Sequence, residues 1–334
     1  MRTMKRIIVL LAIMAFTLTA IGSVAYAGKA KVFLTMGTGG IAGTYYPFGG
    51  IVCSLITKKL KDSDLAVSAA AQSTGGSVDN INLIMRGQAE LALAQNDVAF
   101  MAYNGVIHKA FEGKPWKKIR AIGNTYPEVV HIAALASSGI KTVYDLKGKR
   151  VSVGDLGSGV EVTASDIVKA AGMTYKDFSK TEHLGVAESA AHIKDGQLDA
   201  MFMTSRVPTP GIQDLASIKK IRLVTIGDDI AAKMQDGKPW YAKTTIPAGT
   251  YKGVDKDVPA MAILAMLCTS SDLSEELVYG ITKSIFDNTD YLAKSHAAGK
   301  AVSAENALKG MTIPLHRGAA KYFKEKGLKV PEMK

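Results

Sequence analysis

Three short stretches set glycines beside hydroxyl side chains. They are Gly37-Thr38-Gly39-Gly40-Ile41-Ala42-Gly43-Thr44-Tyr45, Thr74-Gly75-Gly76-Ser77 and Gly157-Ser158-Gly159. Glycine permits backbone conformations closed to other residues and lets a guest approach bare N–H groups. Each stretch stands where a helix is about to begin, so its amides also carry the partial positive charge of a helix start. The natural guest is an anion or a polar carbonyl. Gly39, Gly40, Thr44, Tyr45, Thr74, Gly75, Ser77, Ser158 and Gly159 are therefore candidate ligand contacts. Gln95 and Asn96, polar residues at the end of the apolar run 91–94, join them, with Asp97 as a helix cap. Glu161 falls in the first turn of the third helix, where it either serves the dipole or binds an amine or cation. Arg206 leaves the end of another buried run, ahead of Pro208 and Pro210, and could pair with a ligand carboxylate.

The elements that must position these residues follow from hydrophobic period. Residues 31–36, 65–71, 91–94, 151–153, 198–204, 221–226 and 261–268 are apolar runs of strand length. Between them Ile51, Val52, Leu55 and Ile56, and later Val78, Ile81, Ile84 and Met85, recur at helical spacing. Gly87, Gly172 and Gly196 end helices, Ser77 suits an N-cap, and Asp272 with Glu275 fits a capping box. Runs 119–123 and 129–136 flank a turn punctuated by Pro127, taken as the first crossing between lobes; 261–268 is the return. Strands alternating with helices predict an α/β fold of mixed sheet.

The first 27 residues read as a secretory leader: Arg2, Lys5 and Arg6, an apolar core over 7–20, and the cleavage site Ala25-Tyr26-Ala27. About 307 residues remain (334 minus 27), enough for two domains with proper cores. Losing three leader charges lowers the formal net charge from +11 to +8. The lysines are scattered, without aromatic-interleaved basic patches, so nucleic acid is not an expected partner. Cys53 and Cys268 sit in apolar phases and are expected as buried small hydrophobes, although export makes a disulfide chemically possible.

Catalysis finds no footing in the motifs. His108, His131, His183, His192, His296 and His316 show no metal-ligand spacing, and there is no nucleophile elbow, zinc-protease helix or phosphate loop. No metal and no cofactor are expected. Gly37, Gly39 and Ala42 do satisfy a dinucleotide pattern, but the next apolar run ends in Gln72 rather than an acid. A turn that only ties helix to sheet is the other alternative.

GTGGIAGTYYPFGG followed by STGGSVDNINLIMRGQAELALAQND resembles the opening of the TAXI family, the solute receptors of TRAP transporters. The similarity continues through YPEVVHIAA, VYDLKGKRVSVGDLGSGVEVTA, DGQLDAMFM, TTIPAGTYKGVDKDVP and IPLHRGA, and so covers nearly the whole chain after the leader. Where Ser205 and Arg206 stand, that family usually carries small residues, often glycine. The resemblance implies a two-lobe periplasmic binding protein fold, type II-like, with a ligand cleft between the lobes. It implies delivery of a small carboxylate, such as glutamate or 2-oxoglutarate, to TRAP transporter membrane subunits, and no enzymatic activity.

The expected layout is a leader at 1–27, one lobe from 28–125 with 256–334, and a second from 126–255. The expected protein is a periplasmic monomer that captures an acidic amino acid or dicarboxylate. An exported subunit serving a membrane sensor kinase, and an exported hydrolase or transferase, are the competing functions.

Overall fold

The structure, a computed structural model, describes residues 31–333; the leader expected at 1–27 lies outside them. The described chain opens with β1 (Val32–Gly37), α1 (Tyr45–Leu60), β2 (Val67–Gln72), α2 (Ser77–Met85), β3 (Leu91–Gln95) and α3 (Asn96–Asn104). The three strands pair in parallel in the order β2-β1-β3. After the long strand β4 (Ile119–Leu135) the same plan recurs as β5 (Arg150–Ser152), α4 (Gly159–Ala170), β6 (Lys180–Glu182), α5 (Val186–Lys194), β7 (Ala200–Ser205) and α6 (Pro210–Ile218). Its strands are again parallel in the order β6-β5-β7.

Each parallel trio is completed by one antiparallel strand that arrives from the other half. β4 lies beside β7, while β10 (Val258–Ser270) lies beside β3. β4 and β10 pair with each other from Ile119↔Ser270 to Val129↔Ala262, so two long strands join the halves. β8 (Ile221–Leu223) and β9 (Ala242–Ile246), with α7 (Asp228–Gln235) between them, pair onto β4 and β10. The chain closes with α8 (Glu275–Phe286), α9 (Thr289–Ser295), α10 (Ala304–Ala307) and α11 (Arg317–Glu325). This is the mixed α/β architecture expected from the sequence, with the two parallel trios joined through the β4–β10 pair.

Strand β3 shows why the sheet lies inside: all five of its residues are buried, as a parallel strand covered on both faces requires. In the first lobe, Phe48, Val52 and Ile56 of α1 pack with Ile281 and Phe323, while Val78, Ile81, Val98 and Met101 fill the opposite face. The second lobe repeats this with Ile167 and Val168 of α4 on one side and Ile193, Ile212 and Leu215 on the other. Both cysteines are buried, and burial pushes the Cys53 thiol up to about 12 and Cys268 up as well.

Three local expectations are corrected. The chain does not break at Pro127; Ile119–Leu135 forms one strand, in which Pro127 sits opposite Leu264 and the pairing register shifts between Ala265 and Met266 and between Leu267 and Cys268. The N-cap of α2 is Gly76, and the Ser77 hydroxyl instead accepts a hydrogen bond from the Gln95 amide at 3.1 Å. Helix α8 is capped by Ser274, whose hydroxyl accepts from the Leu277 amide, two residues nearer the helix than the expected Asp272 box.

Candidate functional site

In both lobes the carboxyl ends of the parallel strands point at the same space, which is where open α/β sheets receive ligands. β1 releases the turn into α1, β2 the turn into α2, β5 the turn into α4 and β6 the turn into α5. All four helix starts border one cavity, together with the ends of β3 and β7. The cavity holds about 80 Å³ of accessible space and opens to solvent at its mouth. Gly39, Gly40, Thr44, Tyr45, Gly75, Ser77 and Gln95 line it from the first lobe, and Ser158 and Gly159 from the second.

The lobes touch across this cavity. Thr44 Oγ1 and Ser205 Oγ are 2.7 Å apart, and Thr163 Oγ1 donates to Gln95 Oε1 at 3.3 Å. The amides of Val78 and Asp79, in the first turn of α2, donate to the Gly157 carbonyl at 3.0 and 3.1 Å. That carbonyl occupies donors that a guest would otherwise use. The Gly75 amide is likewise engaged, by Asp79 Oδ2 at 3.2 Å. Helix α2 thus holds the lobes together more than it offers free amides. At the starts of α1 and α4, by contrast, the amides of Tyr45, Gly159 and Val160 have no acceptor among the described residues.

Glycine is required at two of these points. Gly76 has φ +114°, a region side chains other than glycine rarely enter. A Cβ on Gly159 would lie 2.4 Å from Gln95 Cδ and 2.7 Å from Ser77 Oγ, so its missing side chain is what lets the second lobe meet the first.

Four expected contacts do not line the cavity. The Thr74 hydroxyl donates to Asn80 Oδ1 at 2.6 Å. Asn96 is tied to the C-terminal segment: its Nδ2 donates to the Gly310 carbonyl at 3.0 Å and its own carbonyl accepts from Thr312. Glu161 points into a separate groove, where Tyr175 donates to its carboxylate at 3.2 Å and His108 Nε2 lies 4.0 Å away. Arg206 turns back on its own loop, with Nη1 donating to the Pro208 carbonyl at 2.8 Å. The expected cap Asp97 stands inside the first turn of α3, buried, with Oδ1 accepting from the Val98 amide. Burial holds its carboxyl up to about 7.

Glu128, Asp155 and Ser205 also line the cavity, although none of them is a contact expected from the sequence. Glu128 is 3 % exposed, lies on β4 and accepts a 2.6 Å hydrogen bond from the Tyr45 hydroxyl. Burial, opposed by that hydrogen bond, raises its carboxyl to about 8 and lifts the Tyr45 phenol as well. Asp155 is raised by partial burial and by the nearby Glu188 and Asp79 carboxylates. A signal for Glu128 was present: an acid directly before VVHIAA sits in an apolar strand, where a charge needs a reason. Val160, Leu184, Val186, Phe202 and Met203 supply apolar wall, and Thr204 adds a buried hydroxyl with no hydrogen-bond partner among the described residues. Lysine, arginine and histidine are missing from the lining residues.

Among solved structures, a protein from Bordetella bronchiseptica RB50 superposes with a TM-score of 0.52 at 14% identity, over 89% of this chain and 98% of that one. The alkanesulfonate-binding protein SsuA from Xanthomonas axonopodis pv. citri, bound to MOPS, gives 0.47 at 15% identity over 88% and 84%. The periplasmic aliphatic sulphonate binding protein SsuA from Escherichia coli gives 0.47 at 15% identity over 87% and 78%. At these identities the likeness is one of fold. The sequence itself matches the profile of a family across residues 36–327, from the end of β1 to just beyond α11, and on that match the chain belongs to the NMT1-like family.

Proposed function

We propose that this protein is an exported solute receptor that captures a small organic acid between its lobes and hands it to a membrane transporter of the TRAP type, as the resemblance to TAXI receptors implies. Its place of work is the periplasm, after removal of residues 1–27. One lobe comprises 28–125 and 256–334 and the other 126–255, boundaries that fall within β4 and just ahead of β10.

A single observation carries this reading: helix starts and strand ends from both lobes converge on one cavity whose rim is held by inter-lobe hydrogen bonds. A guest that touches both lobes stabilises the closed form, because it gains contacts there that an open form lacks. The unpaired amides of Tyr45, Gly159 and Val160 offer neutral donors to a carboxylate. Several hydroxyls around the cavity are engaged as structural groups: Ser77 with the Gln95 amide, Ser158 with the Glu161 amide, Thr44 with Ser205. None of these aliphatic hydroxyls is paired with a base, and the one cavity hydroxyl that meets a carboxylate, Tyr45 on Glu128, is buried with it, which supports binding rather than turnover.

Mass spectrometry of small molecules released by denaturing the freshly purified protein tests this directly. A stoichiometric organic acid that rebinds, and that shrinks the radius of gyration on rebinding, is the expected result. Recovery of no solute, with no compaction by any acid tried at saturating concentration, would refute it.

A further inference from the structure

We propose that Glu128 is the ammonium-receiving group of the cavity, so that the protein selects acids carrying a protonated amine over amine-free acids of the same shape. This rests on the solute-receptor reading above and narrows it. Glu128 is almost fully buried, lines the cavity, and has one hydrogen bond, accepted through Oε2 from Tyr45. No cation pairs with it among the described residues, and no lysine, arginine or histidine lines the cavity. Asp155 brings a second carboxyl to the same cavity from the other lobe.

A dicarboxylate would enter a space holding two acidic side chains and opposed only by helix-start dipoles. Each such dipole amounts to roughly half a charge. A zwitterion meets both halves of that field: its carboxylate suits the unpaired amides, and its ammonium suits the carboxyl that has no counter-ion. Burying a charged group without a partner is costly, so the unpaired acid stays neutral until a guest brings the opposite charge, which an ammonium does and an amine-free acid does not.

The titratable groups facing Glu128 are Tyr45 from α1, Tyr126 on its own strand and Asp97 from α3; Arg206, beyond β7, acts on Tyr126. Burial holds the Glu128 carboxyl up to about 8, so at pH 7 it stands mostly protonated. Docking an ammonium then expels that proton to solvent, and the new pair is ammonium with carboxylate. Affinity for an amine-bearing acid should accordingly rise with pH up to about 8.

The test is a calorimetric and thermal-shift panel of matched pairs at pH 7: L-glutamate with glutarate, L-glutamine with glutaramate, L-leucine with 4-methylpentanoate. The amine-bearing member of any responding pair should bind at least about 30-fold more tightly, the loss typical of removing one partner of a buried charge pair. It should also release about one proton, read from titrations in buffers of different ionisation enthalpy. Glu128→Gln should abolish both the preference and the proton release. Should that variant not fold, the wild-type proton count decides alone. Equal binding of an amine-free acid, or a preference that survives Glu128→Gln, overturns the inference. If the whole panel is silent, the solute released from denatured protein decides: one with an amine supports the inference, and one without nitrogen overturns it while leaving the receptor reading intact. Release of no solute at all removes both.

Discussion

Replacing Gly159 by alanine separates binding from folding. Gly159 is the first residue of α4 and does not use the left-handed region, so alanine fits its backbone. Locally the change should favour the helix by about 0.5–1 kcal/mol. Across the cleft the effect is opposite. The added Cβ would sit 2.4 Å from Gln95 Cδ and Oε1 and 2.7 Å from Ser77 Oγ, roughly 1 Å closer than ordinary contact. Neither neighbour can simply step aside: both are 2 % exposed, Ser77 Oγ holds the Gln95 amide, and Gln95 Oε1 holds Thr163. Either the lobes part or the Gln95 side chain moves into the cavity it lines. Overpacking of this kind costs about 1–3 kcal/mol, and it falls on the closed form alone. The expected outcome is a loss of affinity of about 5- to 150-fold for the solute recovered from the protein. The ligand-free melting temperature should be unchanged or higher, and the liganded radius of gyration larger. Calorimetry and small-angle scattering check this together. Wild-type affinity with wild-type compaction would show that Gly159 is not the point where the lobes meet.

Thr44→Val strands the Ser205 hydroxyl, which is 1 % exposed, at a cost of about 1–3 kcal/mol to closure, whereas Thr44→Val with Ser205→Ala should recover most of the affinity; equal losses for single and double variants would argue against the hydrogen bond. Glu128→Gln should gain stability over wild type as pH rises. With its native pKa near 8, above the ordinary 4.5, Glu128 keeps a proton that the unfolded chain has lost, so its contribution is full below about 4.5 and falls towards pH 8 by up to roughly 4–5 kcal/mol. Urea melts of both proteins from pH 5 to 8 measure the difference, and a constant offset would refute it; Asp97, raised to about 7, declines in parallel in both. Arg206→Ala should change affinity by less than about two-fold, since its guanidinium holds the Pro208 carbonyl and does not line the cavity; a tens-fold loss in calorimetry would place it at the site after all.

Local physics was legible in the sequence wherever a residue's neighbours in the chain decide its role. The glycine turns and the strand-turn-helix repeats were expected from spacing alone, and the structure has them. The type II-like fold followed from strand and helix alternation together with the family resemblance. Roles set by distant neighbours were not legible. Thr74 looks like a ligand contact until Asn80 takes its hydroxyl, and the start of α2 looks open until Gly157 of the other lobe caps it. Arg206 looks poised for a carboxylate until its own loop bends back to Pro208. Pro127 marked a break because proline lacks the donor a strand normally uses, yet β10 pairs across it and carries the chain through. Glu128 became the cavity's unpaired acid for the same reason. An isolated strand cannot show what lies on its two faces; here α1 brings Tyr45 to its carboxyl, and the surrounding lobes remove the water that would otherwise keep it an ordinary carboxylate.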